Sequence, residues 1–162
     1  MATRTILLKD NPRLRKTSRP VTKINKHITD LLDDMAQTMY EARGVGLAAP
    51  QVGVLRRVVV IDVGEGLMEL INPVIVQSEG QQRVEEGCLS LPDDVGYVIR
   101  PAKITVRALD RNGVEHEYTG EDLLARAFAH EIDHLDGILF TDKMVERVEP
   151  DETGENVDEQ EL

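Results

Sequence analysis

Tryptophan is absent, and Phe and Tyr together supply only 3% of the 162 residues. A chain with so few stacking rings is a poor platform for single-stranded bases. With one cysteine, Cys88, no intramolecular disulfide can form, and a reducing compartment would preserve its thiolate. No apolar run approaches the roughly 20 residues of a membrane span, and the basic first residues lack the apolar core of a secretory signal. A cytoplasmic protein is expected, with neither membrane attachment nor direct DNA binding. One stretch lacks positive charge altogether. Residues 149–162 carry seven acids and no lysine or arginine, and so account for seven of the eleven net negative charges. Low hydrophobicity and like-charge repulsion predict a disordered, solubilising acidic tail there. Residues 1–148 are enough for one packed domain and too few for two.

Within that body, Ile28, Leu31, Leu32, Met35 and Met39 recur at helical spacing, which predicts an N-terminal amphipathic helix capped by Asn25 and ended at Gly44. Residues 57–62 read as a buried strand, and shorter strand-like runs follow at 69–71, 74–77, 97–99, 104–109 and 114–118. The segment Asp110-Arg111-Asn112-Gly113 signals a hairpin, because Asn-Gly readily adopts the positive φ of such turns. No crossover helix separates these strands. The class is therefore α+β with mainly antiparallel sheets. A last helix is expected over 121–136, with acids at its dipole-positive start and Gly137 at its end. Its apolar residues, including Leu124, Phe128, Ile132 and Leu135, cover much of its circumference, as in a central helix enclosed by sheets.

That helix carries His130-Glu131-Ile132-Asp133-His134. Imidazoles at i and i+4 share one face and can share one cation, while the intervening glutamate points about a quarter-turn away, placed to hold a water as general base. The extended zinc-protease spacing would need its third ligand at Phe140, which cannot serve. Upstream, Cys88 stands in Glu86-Gly87-Cys88-Leu89-Ser90-Leu91-Pro92. A lone cysteine reads equally well as a buried, inert small hydrophobe. The adjacent glycine and the lack of a competing donor favour it as the third ligand. His27 and His116 read as ordinary residues. Two imidazoles and a thiolate would hold Zn2+ well.

A third segment, Gly44-Val45-Gly46-Leu47-Ala48-Ala49-Pro50-Gln51, follows the first helix. Together with the cysteine and histidine motifs it resembles the three signature motifs of the bacterial-type peptide deformylases, in their order. Asn11-Pro12-Arg13-Leu14-Arg15 extends the likeness, which covers roughly residues 5–145. One departure is Ala129, where the family usually has glutamine.

The resemblance implies a metal-dependent amide hydrolase that removes the formyl group from the N-terminal methionine of newly synthesised proteins, releasing formate. It implies Fe2+ as the ion, with Ni2+, Co2+ or Zn2+ as substitutes, held by Cys88, His130 and His134. Glu131 would be the base, with the Gln51 amide and the Leu89 backbone N–H stabilising the oxyanion. Val45, Gly46 and Gly87 would flank the N-formylmethionyl peptide as an extended strand. Val45 and Ala127 would border the methionine pocket, and Glu86 would brace the cysteine loop through Arg100. Transient contact with the ribosome is implied too. Some family members dock there through a basic C-terminal helix, a role the acidic tail would be repelled from. Two other readings remain open from the residues: a metallopeptidase, and a noncatalytic metal-binding module whose tail recruits a basic partner.

Overall fold

The computed structural model describes residues 2–149. Beyond Glu149, the expected disordered tail lies outside the described residues. In chain order the elements are α1 (Lys26–Glu41), β1 (Gly46–Ala48), β2 (Val58–Ile61), β3 (Met68–Glu79), β4 (Gln82–Cys88), β5 (Leu91–Arg100), β6 (Lys103–Leu109), β7 (Glu115–Glu121), α2 (Asp122–Leu135) and β8 (Met144–Arg147). Every pairing between these strands is antiparallel, and the α+β class is borne out. One sheet has the order β1-β2-β3-β6-β7, the other β4-β5-β8.

Strand β2 organises the core because its apolar run is buried on both faces. Successive side chains of a strand point to opposite sides. Val58 and Val60 accordingly join Leu31, Leu32, Met35 and Met39 of α1. Val59 and Ile61 join Phe128, Ile132 and Leu135 of α2. The two helices thus sandwich the large sheet near its β1 end. A third cluster, built on Leu14, Cys88, Leu91, Val98, Leu139 and Phe140, packs the small sheet.

Local chemistry explains the boundaries. The Ile28 N–H donates to the Asn25 side chain at 3.3 Å, capping α1. The helix ends differently from the sequence expectation: Arg43, not Gly44, takes the left-handed conformation with φ of 60°. Gly44 N–H then reaches back to Met39 O at 3.0 Å and Arg43 N–H to Tyr40 O at 3.1 Å, satisfying carbonyls the helix would leave open. In the β6–β7 hairpin only Gly113 has a positive φ, 78°. Asp110 holds the turn by accepting from the Asn112 and Val114 amides.

The runs at 69–71 and 74–77 belong to one strand. Pro73 cannot donate to the ladder, and Asn72 sits at φ of 52°, so the break becomes a register shift between Ile71 and Val74. The Asn72 side chain fixes that kink by pairing both ways with the Val21 backbone at 2.8 Å. Strands β4 and β8 were not legible as strands. Their charged sequences gain extended structure from pairing with β5, a tertiary effect.

The N-terminal segment clasps the end of α2. Ser18 N–H donates to Leu135 O at 2.8 Å. Gly137 has φ of 74°, and a Cβ there would lie 2.5 Å from Arg15 O. Gly137→Ala combines left-handed strain with a backbone clash that no side-chain rotation relieves. It should destabilise the fold by about 1–3 kcal/mol, read as a lower urea midpoint at unchanged slope. A midpoint equal to that of the parent would show that the clasp yields freely.

Candidate metal centre

Helix α2 sets His130 and His134 one turn apart, and the end of β4 brings Cys88 against them. The donor atoms of all three lie within 4.8 Å of one another, and all three residues are buried. His134 Nε2 stands 3.2 Å from His130 Nε2 and 3.4 Å from Cys88 Sγ. A tetrahedral ion with metal–sulfur bonds of about 2.3 Å and metal–nitrogen bonds of about 2.0–2.1 Å separates its donors by roughly 3.3–3.6 Å. The trio fits such an ion.

Electrostatics agree with the geometry. Burial opposes charge on both imidazoles, yet His130, held against Cys88 and the Glu86 carboxylate, is raised to about 10. Burial, with the neighbouring His130 charge, holds His134 well below its ordinary value. The two imidazoles are thus driven in opposite directions, and a divalent cation binding among these donors would displace any proton held there.

Glu86 fixes the orientation of His130. Its Oε1 lies 2.8 Å from His130 Nδ1, which turns Nε2 toward the trio. Arg100 grips the same carboxylate through Nε at 2.9 Å and Nη2 at 3.0 Å, and reaches Asp133 through Nη1 at 2.7 Å. The Glu86–Arg100 contact expected from sequence is present, and it extends into a relay ending on His130. Although burial alone would raise it, Glu86 is drawn down to about 2 by His130 and Arg100. Phe140, at the place where a protease would supply a ligand, stacks on the His130 ring at 6.0 Å between centroids.

Glu131 is different. Both its oxygens are buried without a hydrogen-bond partner among the described residues. Burial raises it to about 7. The carboxylate lies against β1, where a Cβ on Gly46 would come within 2.5 Å of Oε2. Gly46 is required by this approach, in addition to any role in strand pairing.

Gln51 is buried with its amide oriented at both ends. Its Oε1 accepts from the Ala48 N–H at 2.9 Å, and its Nε2 donates to Ser90 Oγ at 3.1 Å and faces Cys88 Sγ at 3.7 Å. Sequence reasoning passed over Ser90. The available signal was a small polar residue two positions after the cysteine, in a run otherwise apolar. Leu89 is half-buried in the turn between the paired residues Cys88 and Leu91. Val45 and Gly46 lie at β1 and Gly87 on β4, all three buried. These two strands terminate their sheets. Val45 and Ala127 share one core cluster. His116 lies on β7, 2.8 Å from Asp110, and His27 is exposed at the start of α1; neither joins the trio.

Comparison with known proteins gives a consistent result. A family model described as polypeptide deformylase matches residues 3–149. The peptide deformylase of Thermoanaerobacter pseudethanolicus is 63% identical over 139 residues, covering 86% of this chain and 87% of that protein. That of Caldanaerobacter subterraneus subsp. tengcongensis is 60% identical over 152 residues, covering 94% and 96%. The crystal structure of a peptide deformylase from Legionella pneumophila superposes with a TM-score of 0.86 at 49% identity, covering 88% of this chain and 86% of that one.

The relay through Glu86 has a stability signature. Arg100 is 2% exposed, so Glu86→Leu leaves Nε and Nη2 of a buried guanidinium unpaired, with only Asp133 still bound at Nη1, and should cost about 3 kcal/mol. Glu86→Leu combined with Arg100→Met should recover part of that loss. Chemical denaturation of the two variants checks this, and a double variant no more stable than the single one would show that the pair is not energetically coupled.

Proposed function

The chain belongs to the polypeptide deformylase family, hydrolases that free newly made polypeptides of their N-formyl group, and from that premise we propose how its own residues divide the work. Cys88, His130 and His134 hold one divalent cation. The resemblance of the motifs supports Fe2+, while the mixed thiolate–imidazole donor set suits Zn2+ as well, and Ni2+ or Co2+ could substitute. When bound, the cation lowers the pKa of water and polarises the formyl carbonyl.

The observation that carries the assignment is the unpartnered, buried carboxylate of Glu131 beside that trio. Raised by burial to about 7, it is suited to accepting and returning a proton. In the forward reaction a C–O bond forms at the formyl carbon as Glu131 takes the proton of the attacking water. The C–N bond then breaks as Glu131 passes that proton to the amine nitrogen, leaving formate and a free α-amine. Negative charge grows on the formyl oxygen meanwhile. The Gln51 side-chain amide, prealigned by Ala48 and Ser90, and the Leu89 N–H donate to it.

The substrate is an N-formylmethionyl peptide in extended form, its backbone lying between the free edges of β1 and β4 at Val45, Gly46 and Gly87. Ala127 stands one turn before Glu131 on α2, which supports an apolar side-chain pocket on that side together with Val45. Residues 1–148 serve as the catalytic unit and the acidic tail as an appendage outside it. The work is cytoplasmic and brings the enzyme transiently to the ribosome, in keeping with its substrates. No helix among the described residues is long and apolar enough to cross a membrane. Nothing found supports a metallopeptidase or a noncatalytic module.

Two measurements test the roles. Glu131→Gln keeps the shape of the site, so metal content should stay near that of the parent while formate release from formyl-Met-Ala falls about 10²- to 10⁴-fold. Cys88→Ala should lose the metal itself. Parental turnover in metal-loaded Glu131→Gln protein, or full occupancy in Cys88→Ala, removes the corresponding assignment. Gln51→Leu should lower kcat by about 10²- to 10³-fold with the metal retained. Stability should fall as well, since the Ala48 N–H is left buried and unpaired, at a cost of about 1–3 kcal/mol. A Gln51→Leu enzyme with unchanged kcat and raised KM would make Gln51 a binding residue only.

A further inference from the structure

Away from the metal centre, the N-terminal segment, the start of α1 and the loop after Gly53 enclose an open cleft of about 790 Å³. Five of its lining side chains are basic or imidazole, Arg4, Arg19, Lys23, His27 and Arg56, and none is a carboxylate. Of these, Arg4 is engaged by Asp34 at 2.9 Å. Arg19, Lys23 and Arg56 make no salt bridge to any carboxylate among the described residues. The acids nearest in sequence on α1 are already occupied, Asp30 by Lys26 and Asp34 by Arg4.

The backbone holds two of these cations together. Arg19 and Arg56 face each other across a parallel β-bridge. It is closed by Arg19 N–H to Leu55 O at 3.1 Å and Arg57 N–H to Arg19 O at 3.0 Å. Like charges set opposite each other on paired strands destabilise, unless an anion lies between them. This concentration occurs although acids outnumber lysines and arginines in residues 1–148, by 23 to 19 (30 minus the seven of the tail).

We propose that this cleft binds the phosphodiester backbone of RNA. Apolar side chains such as Val21, Ile28, Leu31 and Val54 share the lining, but the cleft is open and its charged lining groups are all cationic, unlike the enclosed pocket of a small molecule. Arginine and lysine on separate segments suit successive phosphates, which each cation neutralises with release of counterions. RNA, as the polyanion, rests on the deformylase reading, because the substrates of that reaction are made on an RNA-rich particle. None of the lining residues belongs to the metal centre. Binding there leaves the site of hydrolysis free.

The test is fluorescence anisotropy of the metal-loaded full chain with a fluorescein-labelled single-stranded RNA, titrated at several salt concentrations. The Arg19→Gln/Lys23→Gln/Arg56→Gln protein should bind at least tenfold more weakly than the parent. Its slope of log affinity against log salt should be shallower by about 2, at roughly 0.7 for each phosphate no longer neutralised. A control of equal charge change on the large and small sheets, Arg83→Gln/Lys103→Gln/Arg107→Gln, should shift affinity less than twofold. Arg19→Gln/Lys23→Gln alone, at two exposed positions, should give an intermediate loss and guards against misfolding at half-buried Arg56.

Formate release from formyl-Met-Ala, measured on the same samples, should be unchanged. Cleft-dependent RNA binding without formate release would uphold the cleft and sink the assigned chemistry instead. The proposal is overturned if the parent fails to bind RNA at low salt, or if the cleft and control variants lose affinity equally. Binding that appears only after truncation at Val148 would likewise overturn it, by making the acidic tail the occupant.

Discussion

Glu86 is a carboxylate without access to water, and the rest of the centre depends on it. It lies on the small sheet, its partner Arg100 on the neighbouring strand, and its second partner His130 on the helix against the large sheet. One ionised group therefore ties two strands of the small sheet to the helix that packs on the large one, beside the trio of donors that could hold a cation. A charge in so dry a place is tolerable only when its lone pairs are filled. Arg100 and His130 fill them. The same bonds that make the burial tolerable set the imidazole ring at one angle, so that stability and ligand geometry are a single requirement.

The neighbouring carboxylate is kept in the opposite state. Glu131, one residue after His130, has no hydrogen-bond partner among the described residues and is raised by burial to about 7, while Glu86 is pulled down to about 2. Two glutamates of identical chemistry, both buried beside the same imidazole, are separated in acidity by their contacts alone. One is suited to permanent charge, and the other to exchanging a proton. Gly46 contributes by omission, since any side chain there would displace the carboxylate that has to remain unbonded.

How much of this was legible beforehand depended on the range of each interaction. The two helices and the strand at 58–61 were readable because their periodicity lies within a few residues. So was the pairing of His130 with His134, which helix geometry alone brings together. Cys88 could be nominated by elimination and by resemblance, but its distance to the histidines is a tertiary fact. Strands β4 and β8 were invisible because their sequences are charged and become extended only on pairing with β5. Ser90 and the link from Glu86 to His130 were missed for the same reason: each depends on a turn whose direction no local pattern specifies. The end of α1 was misplaced by one residue, since the left-handed position falls on Arg43.

Strand β1 is three residues long and, like β4, ends a sheet, so each has an outer edge that no strand among the described residues covers, although Gln51 takes up the Ala48 N–H. Such edges bond to peptide units and are indifferent to what those units carry. Under the seating proposed above, a polypeptide between them would be measured by its backbone, with its first residue the one read by a side-chain pocket. An enzyme working this way would have little means of refusing a chain through main-chain contacts alone, and the selection of clients would pass to whatever marks their N-termini in the first place.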